Sequence, residues 1–252
     1  MRPSVSIITC SLSGSQLQRT IESVLRQEFQ DWELVLVAPS DNVVAKSLIG
    51  DWTAPQSISS VTDRGTGTYV AMNLGADKAR GSYLFFLNEG DEFFDKSSLF
   101  ILHAFIGSRE WGYARVMKID GSNKETEYRF EPYSKLLHRF GWKYVPHPAS
   151  IILKEVFETL DGFDENYKIA ADQKLFLQAS KLYFPRVLSK PVSKFHLGGL
   201  SSRSVLDSMK DLQLASNEVF GPLFGLQPID NFFWFANTFA KKIVKKLTFA
   251  FY

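Results

Sequence analysis

YLFFLNEGDEFF, residues 83–94, is an apolar run that breaks directly into an acidic turn. The unbroken apolar stretch Tyr83 to Leu87 suits a strand buried on both faces, the condition of a parallel strand covered by helices on each side. Upstream of it, a helix is predicted across Tyr69 to Ala79 and closed by Gly81. Further back, WELVLVAPSD (32–41) carries another buried strand around Leu34 to Val37 followed by a turn. Nearer the start, Val5 to Thr9 is a short β-branched run. The polar break SLSGS (11–15) follows, and then QLQRTIESVLRQ (16–27), in which Leu17, Ile21, Val24 and Leu25 recur at helical spacing. Strand, loop and helix in repeated order predict an α/β fold with an open, mostly parallel sheet flanked by helices. In such sheets ligands gather beyond the carboxyl ends of the strands, so the loops after Thr9, Val37 and Leu87 are where chemistry is expected.

Beyond about Ser98 the pattern is mixed. It shows a helix near Leu99 to Ile106, antiparallel strands near Tyr113 to Ile119 and Glu127 to Phe130, and then VPHPASIILKEVFETLDGFDENY (145–167). No Ser/Gly/Pro linker, internal repeat or low-complexity tract separates the halves, so the second half is expected to extend the same sheet. With 45% apolar and 14% aromatic residues, the 252-residue chain can fill one large core. Its net charge of +2 gives no global reason to expect a nucleic-acid partner. The single cysteine, Cys10, excludes an internal disulfide and suits a reducing compartment. The N-terminal apolar run is too short for a signal peptide or membrane span, so a cytoplasmic protein is expected.

Three segments hold the candidate chemistry. In Asn88-Glu89-Gly90-Asp91-Glu92, a buried strand delivers acidic groups to a fixed place. Carboxylates there suit a hard divalent cation, Mg²⁺ or Mn²⁺, that also holds phosphate oxygens; the plainer alternative is an ordinary Asp/Gly turn. In Ile169-Ala170-Ala171-Asp172-Gln173, Asp172 opens the helical pattern KLFLQASKL (174–182). There it is either a helix N-cap or, at the mouth of a cleft, a general base. In FHLGGLSS (195–202), His196 beside a glycine pair is either structural or a ligand, and the glycines permit a backbone that crosses a phosphate. The GTG at 65–67 lacks the Gly-Lys-Ser/Thr ending of a phosphate loop and follows no clear strand.

PSVSIIT with its following helix, DRGTGTYVAMNLGADKARGSYLFFLNEGD (63–91), HPASIILKEVFETLDGFDENYKIAADQKLFL (147–177) and FHLGGLSS together resemble the inverting family 2 glycosyltransferases of GT-A fold, especially the bacterial exopolysaccharide and colanic-acid-type branch. The resemblance covers roughly residues 3 to 203. It implies a single GT-A domain over 1–205, with a nucleotide-binding half (1–98) and an acceptor half (99–205), followed by a helical extension (206–252). It places Thr9, Ser40, Asp41 and Asp63 at the nucleoside, with Asp63 on the base, and Asn73, Arg80 and Asn88 along the nucleotide site. Asp91 then matches the last acid of the metal motif, Asp172 matches the catalytic base, and His196 lies within reach of the metal or diphosphate. The implied partners are a nucleotide-diphosphate sugar, UDP-linked by default and GDP-linked as the alternative, and a saccharide or lipid-linked acceptor. The implied cofactor is Mn²⁺ or Mg²⁺.

Departures from the family pattern are Ala38-Pro39 where an acid commonly follows the second strand, Tyr69-Val70-Ala71-Met72-Asn73 in place of Tyr-Asp-Ala-Met-Asn, and Asn-Glu-Gly-Asp in place of two spaced aspartates. Two rival readings follow: a non-catalytic sugar- or nucleotide-binding member of the fold, and a nucleotidyltransferase, for which SLSGSQLQR is a poor triphosphate loop. The tail PIDNFFWFANTFAKKIVKKLTFAFY (228–252) is expected to form a helix with Lys241, Lys242, Lys245 and Lys246 on one side and Phe232, Phe239, Ile243, Leu247 and Phe251 on the other. Such a helix lies on the inner face of a membrane, docks on its own domain, or joins a second copy in a homo-oligomer.

Overall fold

The computed structural model describes residues 3–50, 57–63, 65, 67–198 and 205–249. The first strands and helices alternate as their apolar patterns dictate: β1 (Val5–Cys10), α1 (Leu17–Leu25), β2 (Trp32–Pro39), α2 (Val43–Gly50), β3 (Ser57–Asp63), α3 (Thr68–Lys78) and β4 (Tyr83–Phe86). These strands form the all-parallel run β3-β2-β1-β4. Beyond β4 the sheet continues through β8 (Ser150–Leu153), β6 (Trp111–Ile119), β9 (Arg186–His196) and the short β5 (Glu92–Phe93), with β7 (Glu125–Tyr128) as a hairpin partner of β6. Here β8 runs antiparallel to both neighbours, while β6 and β9 are parallel. The fold is a GT-A-like α/β architecture, and residues from both sides of position 98 share one sheet.

Side-chain alternation along each strand builds two apolar layers. Ile8, Val35, Val37, Phe86 and Ile152 face α3 and the helices α6 (Lys154–Thr159) and α7 (Ala171–Leu182). Ile7, Leu34, Leu36, Phe85 and Ile151 face α1 and α4 (Ser98–Ile106). The GTG segment does follow a strand, β3, contrary to the sequence reading; SISSVTD is a half-exposed edge strand whose serines hide its pattern. Thr66 and residues 199–204, including the second half of FHLGGLSS, lie outside the described residues.

The amino ends of the strands are tied by one buried carboxylate. Glu33 accepts from Ser6 Oγ at 2.7 Å, from Gly81 N at 3.2 Å and from Arg80 Nε at 2.8 Å, while Arg80 Nη2 also reaches Ser57 Oγ at 3.0 Å. Burial pushes the Glu33 carboxyl up, but the bonds from Ser6 and Arg80 outweigh it, and the group titrates below its ordinary 4.5. A depressed acid contributes stability that is present above the unfolded value and lost as pH falls through the folded one. Replacing it, Glu33→Gln, should therefore flatten the acid limb of the stability-versus-pH curve, measured by urea unfolding across that range. A Cβ on Gly81 would lie 2.5 Å from the Ser6 backbone nitrogen. The expected cost of Gly81→Ala is about 1–3 kcal/mol of unfolding free energy, read from the urea midpoint.

The C-terminal extension comprises α8 (Val205–Phe220) and α9 (Gln227–Phe249). Its first turns dock on the chain's own domain. Buried Asp230 accepts from Arg139 Nη2 at 2.9 Å and from Leu223 N at 2.9 Å, and Asn237 Nδ2 donates to the Phe140 carbonyl at 2.7 Å. Trp234 packs on Gly141. Lys241, expected on an outward polar face, instead turns inward to the Gly141 carbonyl at 2.8 Å, because the loop ending α5 (Lys135–Arg139) leaves carbonyls there to be satisfied. Phe232, Phe235 and Phe239 remain exposed at 66%, 69% and 56%. The side chains of Lys242, Ile243, Lys245, Lys246 and Leu247, and the whole of Phe251, lie outside the described residues. Among the described residues no helix is long and apolar enough to cross a membrane.

Candidate active site

At the carboxyl edge of the sheet the acidic turn after β4 and the loop after β1 form one unit. Glu89 accepts from Ser11 Oγ (2.8 Å), Leu12 N (3.1 Å), Ser13 Oγ (3.1 Å), Gly14 N (3.2 Å) and Gln16 N (2.9 Å). Although burial pushes its carboxyl up, the bonds from Gln16, Ser11, Gly14 and Ser13 hold it below the usual carboxylate range. A carboxylate at the amino terminus of α1 also meets the helix dipole favourably. Glu89 is therefore a brace for the loop, with its oxygens occupied by the chain itself.

Asp91 is buried and receives a hydrogen bond from the His196 backbone. Burial raises its carboxyl well above the ordinary value, against the opposing effects of that bond and of Arg19. Close by in the same turn, Asn88 Oδ1 is buried with no hydrogen-bond partner. The turn is gripped from α1, with Gly90 N donating to Thr20 Oγ1 at 2.9 Å and Arg19 Nη2 to the Gly90 carbonyl at 3.1 Å. Gly90 takes φ +99°, a left-handed conformation that favours glycine, and a Cβ there would meet Gln16 Oε1 at 2.7 Å. His196 Nε2 bonds Glu92 Oε1 at 2.8 Å, so of its two ring nitrogens only Nδ1 is left toward a cation. Among the described residues no group of three or more His, Cys, Asp or Glu gathers around one point.

The nucleoside-side residues lie along the same edge. Thr9 is fully buried near the end of β1, its Oγ1 without a partner. Ser40 and Asp41 are exposed in the turn after β2, where Pro39 pairs with Asp63 at the end of β3. Asp63 Oδ1 accepts from Gly65 N at 2.9 Å. Burial, and then the charge of Asp63, push the Cys10 thiol up and keep it unreactive. Asn42, which sequence reading passed over, ties this side to the β1 loop through Ser11 Oγ at 3.1 Å.

Asp172 stands in the first turn of α7, half-buried. Its Oδ1 lies 3.1 Å from the Tyr69 hydroxyl, which also bonds the Ile169 carbonyl, and its Oδ2 accepts from Gln173 Nε2 at 2.8 Å. Burial, reinforced by Asp172, raises Tyr69 well above its ordinary value, so that it remains a neutral donor. Gln173 anchors the arrangement. Its Nε2 also donates to the Val145 carbonyl at 2.9 Å, and its Oε1 accepts from Val145 N at 3.0 Å and from His138 Nε2 at 3.0 Å. Burial drives His138 down to about 4, making it a neutral imidazole whose Nδ1 takes the Tyr133 hydroxyl at 3.1 Å. Substituting Gln173→Leu strips partners from the buried Val145 amide and from His138, with an expected loss of about 1–3 kcal/mol per orphaned group in thermal unfolding.

The structure thus brings Thr9, Ser40, Asp41, Asp63, Asn88, Asp91 and His196 to the carboxyl ends of the strands, but two predicted residues are occupied elsewhere. Arg80 sits with Glu33 and Ser57 at the amino ends, because a residue that precedes β4 emerges at the opposite end from one that follows it. Asn73, on α3, clamps the loop before α7. It donates to the Phe163 carbonyl at 2.8 Å and to Glu165 Oε1 at 2.9 Å, and accepts from Phe163 N at 3.0 Å. Sequence reading missed His147, whose ring stacks on Phe86 at 5.7 Å and whose buried Nε2 has no partner. Burial lowers its pKa while the charge of Asp172 opposes the shift, which places it close to the candidate base. A histidine between two prolines in VPHPAS was the available signal.

Comparison with known proteins finds glycosyltransferases among both sequence relatives and solved structures. An uncharacterized glycosyltransferase of Mycobacterium tuberculosis is 29% identical over 210 residues, spanning 79% of this chain and 78% of the relative. A PGL/p-HBAD biosynthesis glycosyltransferase of Mycobacterium bovis is 26% identical over 209 residues, 81% of each chain. Among solved structures, S. aureus TarS 1-349 in complex with UDP-GlcNAc has a TM-score of 0.67 at 16% identity, covering 92% of this chain and 70% of that one. A longer TarS chain is covered over 41% of its length. The mannosyltransferase PcManGT from Pyrobaculum calidifontis, in complex with GDP-Man and Mn²⁺, has a TM-score of 0.65 at 14% identity, covering 100% of this chain and 81% of that one. These structural likenesses speak to the fold. The sequence match described as Glycosyl transferase family 2 covers residues 4–157, from the residue before β1 into α6, and so takes in the whole parallel half of the sheet with its acidic turn: the chain belongs to glycosyl transferase family 2.

Proposed function

We propose that the protein is an inverting glycosyltransferase of the exopolysaccharide type. In this reading it moves a sugar from a nucleotide-diphosphate sugar, UDP-linked first and GDP-linked as the alternative, to a hydroxyl of a saccharide or lipid-linked saccharide in cell-surface polysaccharide synthesis. The observation that carries the reading is Asp172, a carboxylate fixed through both oxygens by Tyr69 and Gln173 and neighboured by His147, whose ring packs on the strand that delivers Asp91. Asp172 takes the proton of the acceptor hydroxyl as its oxygen attacks the anomeric carbon and the bond to the nucleoside diphosphate breaks on the opposite face. Thr9, Ser40, Asp41 and Asp63 hold the nucleoside, while Asn73 and Arg80 act as braces.

A divalent cation fits the acidic turn. The buried Asp91 carboxyl and the unpartnered Asn88 Oδ1 are hard oxygen donors, and His196 Nδ1 would add a nitrogen ligand; so small a protein set suits Mg²⁺ or Mn²⁺ shared with substrate phosphates. When bound, the ion offsets charge on the departing diphosphate.

The similarity to the M. bovis PGL/p-HBAD biosynthesis glycosyltransferase, and the fold shared with TarS in its UDP-GlcNAc complex, support a sugar-nucleotide donor. Exposed Phe232, Phe235 and Phe239 support contact with the cytoplasmic membrane surface, for which binding to anionic liposomes is the check; a homo-oligomer through that face would appear instead as a larger species in light scattering. The experiment that tests the function is calorimetric titration with UDP, GDP, CDP and dTDP, each with and without Mn²⁺. Metal-dependent binding of one nucleotide supports the reading and names the donor class, and binding of none overturns it in favour of a non-catalytic member of the fold.

A further inference from the structure

Three lysines converge where β6 ends. Lys118, on β6, sets its Nζ 4.2 Å from the Tyr128 ring centroid and 4.8 Å from that of Tyr144, and bonds the Tyr144 hydroxyl. The two rings stack at 4.4 Å and 10° and hold the lysine in place. Lys143 Nζ lies 5.4 Å from the Tyr128 centroid and donates to the Arg129 carbonyl at 3.1 Å. Lys241 arrives from α9, its Nζ on the Gly141 carbonyl at 2.8 Å. Among the described residues none of the three ammonium groups forms an ion pair with a carboxylate.

This arrangement is unfavourable as it stands. Burial, with the charges of Lys143 and Lys241, pushes the Lys118 ammonium down to about 8, and burial also lowers Lys241. Like charges packed into a partly buried place are relieved most directly by an anion. The position is specific as well. Lys118 pairs with Phe195 and the next residue, Ile119, with His196, beside the acidic turn. On the other flank Tyr144 precedes Val145, whose amide and carbonyl are held by Gln173, the neighbour of Asp172. On the sheet, β4 and β8 separate β6 from the strands β1 to β3 that carry the nucleoside loops.

We propose that Lys118, Lys143 and Lys241, ordered by the Tyr128–Tyr144 stack, form an anion subsite for a phosphate-bearing acceptor, distinct from the nucleotide loops. The word acceptor rests on the proposed transfer reaction; the binding of phosphate does not. The inward turn of Lys241 then has a use, since it brings the C-terminal helix to the acceptor and gives that helix a charge role while Phe232, Phe235 and Phe239 face outward.

The test titrates inorganic pyrophosphate without metal into the full chain and into the Lys118→Gln/Lys143→Gln/Lys241→Gln variant, with UDP plus Mn²⁺ titrated into both. Expected is pyrophosphate binding to the wild type that weakens about tenfold or more in the variant, as loss of charge-assisted contacts implies, with UDP affinity unchanged within about twofold. Lys143→Gln alone gives up one carbonyl bond and a 5.4 Å approach to the Tyr128 ring, and is the variant to read if the triple substitution unfolds; it should weaken pyrophosphate and leave UDP unchanged. Absence of pyrophosphate binding to the wild type, equal binding by wild type and variants, or a parallel loss of UDP would each overturn the proposal. Should the wild type bind no nucleotide at all, the transferase reading fails while the pyrophosphate comparison still decides the subsite.

Discussion

Asp172→Asn is expected to lower kcat by about a thousandfold, the scale of a lost general base, while leaving the metal-dependent nucleotide Kd within about twofold. The amide is nearly isosteric, so Tyr69 and the Gln173 anchor keep their places and α7 its start; what disappears is the ability to accept a proton. Nucleoside diphosphate release in the presence of acceptor is the measurement. Turnover that survives the substitution would remove Asp172 from the mechanism and point to His147 as the group to replace next.

Asp91→Asn should produce two effects of opposite sign. Mn²⁺-dependent binding of UDP should fall by about a hundredfold, since the substitution removes the acid among the cation's protein ligands. In the absence of metal, the same change relieves a carboxyl that burial holds well above its ordinary value, so the unfolding temperature at neutral pH should rise. A fall in both quantities would mean that Asp91 supports the turn by hydrogen bonding alone, and the proposed cation would then need another home. The pairing of the two measurements separates a residue kept for function from one kept for the fold.

What could be read from the sequence followed burial. β1, β2 and β4 are covered on both faces and appear as unbroken apolar runs, which is why the parallel half and its helices were predictable. β3 is an exposed edge, and β9 alternates lysines, serines and a proline around a bulge against β6, so neither shows a period that marks a strand. Asp91 could be singled out because it follows the unbroken apolar run of β4 and Asp172 because it opens a helical pattern, whereas Asp63 came only from the family resemblance. Arg80 was misplaced by proximity in sequence to the acidic turn, although the direction of β4 already puts it at the far end. The roles of Gln173 and His138 arise from contacts across 35 positions of chain, which no local pattern carries.

The bond set around Glu89 also bears on how this fold can be re-engineered. Residues 11–16 and 88–91 are two halves of one cassette: a foreign loop set against the native turn would leave the Glu89 carboxylate without its partners, and a foreign turn set against the native loop would leave five of the loop's donors unanswered. Substrate switching by grafting should succeed only when both segments travel together, and chimaeras that exchange one of them should fail first in expression yield, before any assay of transfer can be run.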